Sequence, residues 1–155
     1  MNKIFVVISF FVLPLLAEQI KITADSFEGN EKKGFTVFKG HVQIKKGSDE
    51  LNASIVTVHT DKDRKPIKYE AKGKVSFYID LPDNNATYKG DAGKATYYPV
   101  KKEYQFQKNV HLYQIGTDRK IFGEEVMLNA NDGNAKAIGK KKKPVIMIFN
   151  IEDTK

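Results

Sequence analysis

No cysteine and no tryptophan occur among the 155 residues, and histidine appears three times. Without cysteine there is no disulfide scaffold, no thiol nucleophile, no thiolate ligand and no acylated cysteine to anchor a lipoprotein. Without tryptophan a sugar-stacking platform loses its best component. His41, His59 and His111 lie far from the HxH or HxxxH spacing of a metal site, so neither a metal nor a cofactor is expected. No GxSxG turn surrounds Ser26, Ser48, Ser54 or Ser76, which removes the nucleophile elbow. Glu124 and Glu125 are adjacent and on a strand would point to opposite faces, a poor start for an acid/base pair. The sequence therefore argues against an enzyme.

Long apolar runs are missing too, except at the start. Lys3 precedes an apolar stretch over residues 4–16, interrupted by Ser9 and Pro14, with Ala17 at its end. This reads as a secretory signal peptide over residues 1–17, cut before Glu18, with a single domain over residues 18–155. Leu15 at the −3 position is an imperfect fit, so an uncleaved anchor stays open. The run of thirteen residues is short for a membrane-spanning helix, which needs about 20. The chain carries a formal charge of +7, or +6 once Lys3 is removed. Such a charge favours phosphates, anionic lipid or sugar acids, and export makes nucleic acid the least suitable of the acidic partners.

What the sequence does contain is repetition. Lys39-Gly40-His41-Val42-Gln43-Ile44 is echoed by Lys72-Gly73-Lys74-Val75-Ser76-Phe77 and by Lys108-Asn109-Val110-His111-Leu112. The intervals are 33 residues from Gly40 to Gly73 and 36 from Gly73 to Asn109, the range of stacked supersecondary units. A second extended segment follows each copy, over residues 51–58, 86–90 and 121–128. Gly or Asn ahead of the apolar residues suits a bulge or a left-handed backbone. Between these units the chain alternates with period two, and no stretch holds the i, i+3, i+4, i+7 spacing of an amphipathic helix. The expected fold is all-β, antiparallel, with no substantial helix after the leader.

In detail, strands are expected over residues 20–24, 35–44, 51–58, 67–71, 75–81, two short pieces within 86–98, then 104–112, 121–129 and 144–149. A parity slip places a bulge near residues 38–40. Leu51, Ala53, Ile55 and Thr57 are expected to share one face. Turns fall at residues 30–34, 45–49, 61–66, 82–85 and 115–118. The run Lys140-Lys141-Lys142-Lys143 reads either as a solvated turn that guards an edge or as a phosphate contact. Asn52-Ala53-Ser54 and Asn85-Ala86-Thr87 are glycosylation-type sequons with acidic residues two positions earlier, Glu50 and Asp83. Asn85, in a predicted loop, is the better candidate acceptor.

The order Gln19-Ile20-Lys21-Ile22-Thr23-Ala24-Asp25, Phe38-Lys39-Gly40-His41-Val42-Gln43-Ile44, Leu51-Asn52-Ala53 resembles the OstA-like family of lipopolysaccharide-transport proteins. The second half agrees, through Ala95-Thr96-Tyr97-Tyr98, Gln107-Lys108-Asn109-Val110-His111-Leu112 and Lys120-Ile121-Phe122-Gly123. One departure is Lys108 before Asn109, where other repeats of the family place Gly. The resemblance implies an open β-jellyroll of the soluble periplasmic bridge type, with acyl chains of lipid A held between two sheets. Combined with the parity above, it points Ile20, Ile22, Val42, Ile44, Phe77, Ile79, Phe106, Leu112 and Ile121 toward that groove, and Ile20, Ile22 and Phe77 coincide with lipid-contact positions of the family. A closed apolar core is the competing reading for the central residues.

It further implies partners at the two sheet edges. Ile20, Ile22 and Ala24 would meet an inner-membrane-anchored transport protein; Val145, Met147 and Phe149 would meet the outer-membrane translocon, with head-to-tail self-association as an additional use of the same edges. Two other roles stay open: the inner-membrane-anchored relative, if the N-terminal segment is retained, and a periplasmic glycan-binding jellyroll.

Overall fold

In the computed structural model residues 19–81 and 85–151 are described; the leader expected over residues 1–17 and most of the turn expected at residues 82–85 lie outside them. Among the described residues ten strands form one antiparallel sheet: β1 (Ile20–Thr23), β2 (Ser26–Asn30), β3 (Phe35–Lys46), β4 (Asp49–Thr60), β5 (Pro66–Leu81), β6 (Ala86–Tyr98), β7 (Glu103–Gln114), β8 (Lys120–Asn129), β9 (Ala135–Ile138) and β10 (Ile146–Ile148). From β3 to β8 each strand pairs with the next, so the sheet is a meander. Both of its ends are split. β1 and β2 pair with successive stretches of β3, and β10 and β9 do the same on β8. No helix occurs among the described residues.

The repeats set the shape of this sheet. At each of them two consecutive residues have a left-handed backbone inside an otherwise extended strand: Gly40 and His41 at φ 80° and 46°, Gly73 and Lys74 at 82° and 47°, Lys108 and Asn109 at 68° and 54°. The register shifts at these points, with two residues on β3, β5 or β7 facing one on the neighbouring strand. A bulge bends its strand, and here the bulges lie side by side across the sheet, so the whole sheet creases along one line. The left-handed pairs are separated by 33 and 35 residues; the third copy therefore aligns Lys108, not Asn109, with the glycines. That position is costly for a side chain, by about 1–2 kcal/mol. Lys108→Gly is accordingly expected to raise stability by about 1 kcal/mol in a denaturant titration, and a loss instead would mean that the lysine stem contributes more than its backbone strain costs.

Beyond each bulge comes a valine. Val42, Val75 and Val110 are 1%, 0% and 0% exposed, and they face Ala53, Ala92 and Gly123. Large residues fill the inner angle of the crease while small ones let the neighbouring strand approach. The crease brings together residues that a flat sheet would hold far apart. Phe106 is in register with Ala95 and so with Ala71, six residues along β5 from Phe77, about 20 Å at the strand rise. Yet the Phe77 and Phe106 rings stack with centroids 4.0 Å apart. The result is two walls hinged on one line, the β1 wall and the β2 wall, which is the open jellyroll expected.

The bulges also correct the sequence reading. On β4 the inward residues change from Leu51 and Ala53 to Val56 and Val58, because Ser54 alone opposes the bulge; Ile55 therefore points outward and is 40% exposed, and Thr57 shares its parity. The two strands expected over residues 67–71 and 75–81 are one continuous β5, and residues 86–98 are one continuous β6. Strand pairing runs past a bulge, whereas glycine in a sequence reads as an end. β2 and β9, short and polar or exposed, carry no alternation that would have announced them.

Candidate functional site

Between the walls lies an apolar cleft of about 70 Å³. Its β1-wall lining includes Ile20, Ile44, Leu51, Phe77 and Ile79; the β2 wall contributes Val56, Tyr69, Ala71, Tyr97, Tyr104 and Phe106. The inward rings form a ladder. Phe106 stacks on Phe77 and lies 6.3 Å from Tyr104, which stacks on Tyr97 at 4.5 Å; Tyr97 is 6.2 Å from Tyr69. Offset ring pairs add to area burial, so the ladder stiffens the β2 wall while leaving an apolar surface.

Polar groups gather where the ladder reaches the mouth. The Tyr104 hydroxyl donates to Asp49 Oδ2 at 3.3 Å, a bond that ties the β2 wall to the start of β4 on the β1 wall. Asp49 Oδ1 accepts the backbone N–H of Asp80 at 2.8 Å. Lys46 Nζ stands 5.7 Å from the Tyr97 ring centroid, a cation–π approach. Burial pushes the Asp49 carboxyl up, against the lowering effect of the Asp80 N–H, the Tyr104 hydroxyl and Lys46. The folded protein therefore holds this proton more tightly than the unfolded chain. The associated stability is present below the unfolded carboxylate range and is lost as pH rises through the folded value. Asp49→Asn keeps an acceptor for Asp80 and a donor for Tyr104 without the buried charge. It should raise the melting temperature at neutral pH, with an advantage over the parent that shrinks on acidification; an advantage that grows at low pH would reverse the assignment.

The nine residues assigned to the groove divide in two. Ile20, Ile44, Phe77, Ile79 and Phe106 line the cleft. Ile22 packs half-buried against the core, and Val42, Leu112 and Ile121 are buried within it, outside the cleft lining. Leu51, Val56, Tyr69, Ala71, Tyr97 and Tyr104 were missed as lining. Val56 and Tyr97 could have been found only by placing the parity changes on β4 and β6, where one residue stands against two. Tyr69, Tyr97 and Tyr104 carry a signal that was available: aromatic residues on three successive strands whose pairing puts them in one row.

At the edges, β1 and β10 each have one pairing neighbour among the described residues. Ile20 and Ile22 lie on β1 and Ala24 directly follows it; Val145 and Phe149 flank β10, with Met147 at its centre. Val145, Met147 and Phe149 are 36%, 53% and 55% exposed. Asn85 sits exposed in a turn with φ 48°. Asn52 is half-buried on β4, where its Nδ2 donates to Glu50 Oε1 at 3.1 Å. Lys140 and Lys143 close a tight hairpin by reciprocal backbone hydrogen bonds of 2.8 and 3.0 Å.

Comparison with known proteins agrees with this architecture. The crystal structure of LptH from Pseudomonas aeruginosa, described as the LptA-homologous periplasmic component of the conserved lipopolysaccharide transport device, superposes with a TM-score of 0.75. The match covers 86% of this chain and 96% of that one at 18% identity. By sequence, the lipopolysaccharide export system protein LptH of the same organism is 35% identical over 71 residues, 45% of this chain and 41% of the relative; the aligned stretch thus spans less than half of that protein. Residues 21–134 match the family described as LptA/(LptD N-terminal domain) LPS transport protein, a span that includes β2 to β8, all three bulges and the aromatic ladder. The chain belongs to that family of lipopolysaccharide-transport proteins.

Proposed function

We propose that this protein is a periplasmic lipopolysaccharide carrier, exported by the segment over residues 1–17, whose cleft shelters the acyl chains of lipid A between membranes. The observation that carries the reading is the cleft itself: two hinged walls with apolar inner faces, mainly aliphatic on the β1 wall and aromatic along the β2 wall, with Lys46, Asp49 and the Tyr104 hydroxyl gathered at one end. Each acyl methylene moved out of water gains about 0.8 kcal/mol, so a lipid with several chains needs such a shelter to cross an aqueous compartment. A 70 Å³ space is too small for this, since cavities that admit benzene are about 150 Å³. Loading therefore requires the walls to part, and the contacts that resist parting include the Phe77–Phe106 stack, the Asp49–Tyr104 bond and the approach of Lys46 to Tyr97.

In this reading the molecule binds and releases its cargo and performs no reaction. Ile20, Ile22 and Ala24 offer one open edge to an inner-membrane-anchored partner, and Val145, Met147 and Phe149 offer the other to the outer-membrane translocon or to a second copy. A photo-crosslinking residue at Phe77, with a surface control at Lys62, tests the carrier role in cells. Lipopolysaccharide adducts at Phe77 and not at Lys62 are expected. A folded, exported protein giving none at Phe77, Ile79 or Phe106 would end the proposal.

A further inference from the structure

The lysine that opens each repeat has no part in the cleft. Register places Lys39, Ile55, Lys72, Lys94, Gln107, Glu125 and Ile138 in one row across β3 to β9. The neighbouring row, from Val56 through Ala71, Ala95 and Phe106 to Val126, is buried, so by alternation this one faces outward along the back of the crease. The bulges add Lys74 and Lys108, both exposed. Gly93 leaves the space that the Lys108 stem occupies, since a Cβ there would stand 2.8 Å from Lys108 Cβ. At the end of the row, where the other strands have a bulge, the chain between β9 and β10 inserts the hairpin of lysines 140–143. Lys140 is held by Glu124 at 2.9 Å.

Nine lysines thus stand against three carboxylates on this line, Asp25, Glu124 and Glu125, a net excess of six in a chain whose formal charge is +7. Asp25 is bonded to His41 and Glu124 to Lys140. The adjoining outward rows hold Glu28 and Glu70, the latter paired with Lys68, and Asp91, paired with His111. Among the described residues no carboxylate lies within ion-pair distance of Lys39, Lys72, Lys74 or Lys108. Six strand intervals make the row about 29 Å long.

We infer that this cationic back is a docking surface for an anionic lipid bilayer. Lys39, Lys72, Lys74, Lys108 and the hairpin lysines are exposed, with Lys94 half-buried among them, an extended arrangement that suits a field of phosphates and not one small anion. Apolar groups are interspersed with them: Ile55 and Ile138 in the row, 40% and 43% exposed, and the exposed stretch that begins at Val145 beside the hairpin. A headgroup layer would cover these together with the charges; a soluble polyanion would leave them in water. Docked by its back, the molecule keeps the cleft open to the other side, so the surface is separate from the cargo site and the inference does not depend on it.

Vesicle flotation with the mature chain tests this. The protein should float with phosphatidylcholine vesicles containing roughly 30% phosphatidylglycerol, stay behind with phosphatidylcholine alone, and be released by added salt. The triple variant Lys72→Glu, Lys74→Glu, Lys108→Glu should lose about tenfold or more of its vesicle affinity. The control Lys62→Glu, Arg64→Glu, Lys65→Glu, which changes net charge equally at a distant turn, should keep most of it. Circular dichroism and thermal melts establish that both variants are folded. Equal losses in the two variants would reduce the effect to bulk charge and overturn the inference. So would binding to a soluble polyanion such as heparin in the absence of any binding to the anionic vesicles.

Discussion

Gly90→Ala is expected to destabilise the protein by about 3 kcal/mol or more, although it adds a single methyl group. The backbone at Gly90 is not left-handed, so no conformational strain enters; the cost is steric. A Cβ built there would collide with the carbonyl oxygen of His111 and stand 2.8 Å from Cζ of Phe77. The first contact is with the backbone of β7, which can yield only if the β6–β7 pairing opens. The second is with a ring that could move only by leaving its stack on Phe106. Gly116→Ala supplies the comparison, because Gly116 has φ 77° with nothing within 4 Å of its Cβ position, so that change isolates backbone strain of about 1–2 kcal/mol. Thermal melts should place Gly90→Ala roughly 10 °C below the parent and clearly below Gly116→Ala. A shift at Gly90 no larger than at Gly116 would mean that the β1 wall relaxes freely around Phe77, and that the cleft floor is softer than its packing indicates.

Much of this architecture was legible in the sequence for one reason: the repeats carry its geometry. Two left-handed residues and then a valine recur, with glycine first in two of the three copies, because the bulge uses a left-handed pair and the crease needs a buried branched residue after it. What could not be read was the effect of those bulges on the partner strands. Ile55 looks inward by simple counting from Leu51, yet Ser54 faces two residues of β5, and every residue beyond it on β4 changes sides. The same step on β6 turns Ala95 and Tyr97 inward after Ala92. Parity is a local property of one strand, whereas a bulge belongs to a pair. For this reason simple counting points Phe77, Ile79 and Phe106, on strands that keep their alternation, toward the cleft that they line, while it passes over Val56 and Tyr97, on strands that lose it. Val42, Leu112 and Ile121 show a different limit. They do face inward, but whether an inward residue lines a cleft or is sealed in a core depends on its distance from the crease, which period-two alternation does not encode.

Phe106→Ala separates the structural and carrier roles of the same ring. Phe106 is fully buried, stacks on Phe77 and lines the cleft. Truncation should cost about 3–5 kcal/mol, a large share of the 5–15 kcal/mol typical of a domain. It also removes one of the contacts that hold the walls together and adds the volume of the ring to the cleft. An enlarged apolar cavity stays dry and accepts apolar ligands, so the variant should be rescued by them: a saturating long-chain amphiphile present at about 100 times its dissociation constant would return roughly 2.7 kcal/mol. The measurement is a pair of melting curves, parent and variant, with and without the amphiphile below its micellar concentration. The variant should start lower and gain more. Val110→Ala, which opens space in the crease away from the cleft lining, should lose stability without that extra gain. If both variants are rescued equally, the amphiphile is binding partly unfolded chain instead of the cleft. If neither is, the walls close over the missing ring, and the space between them is a packing defect that does not admit lipid.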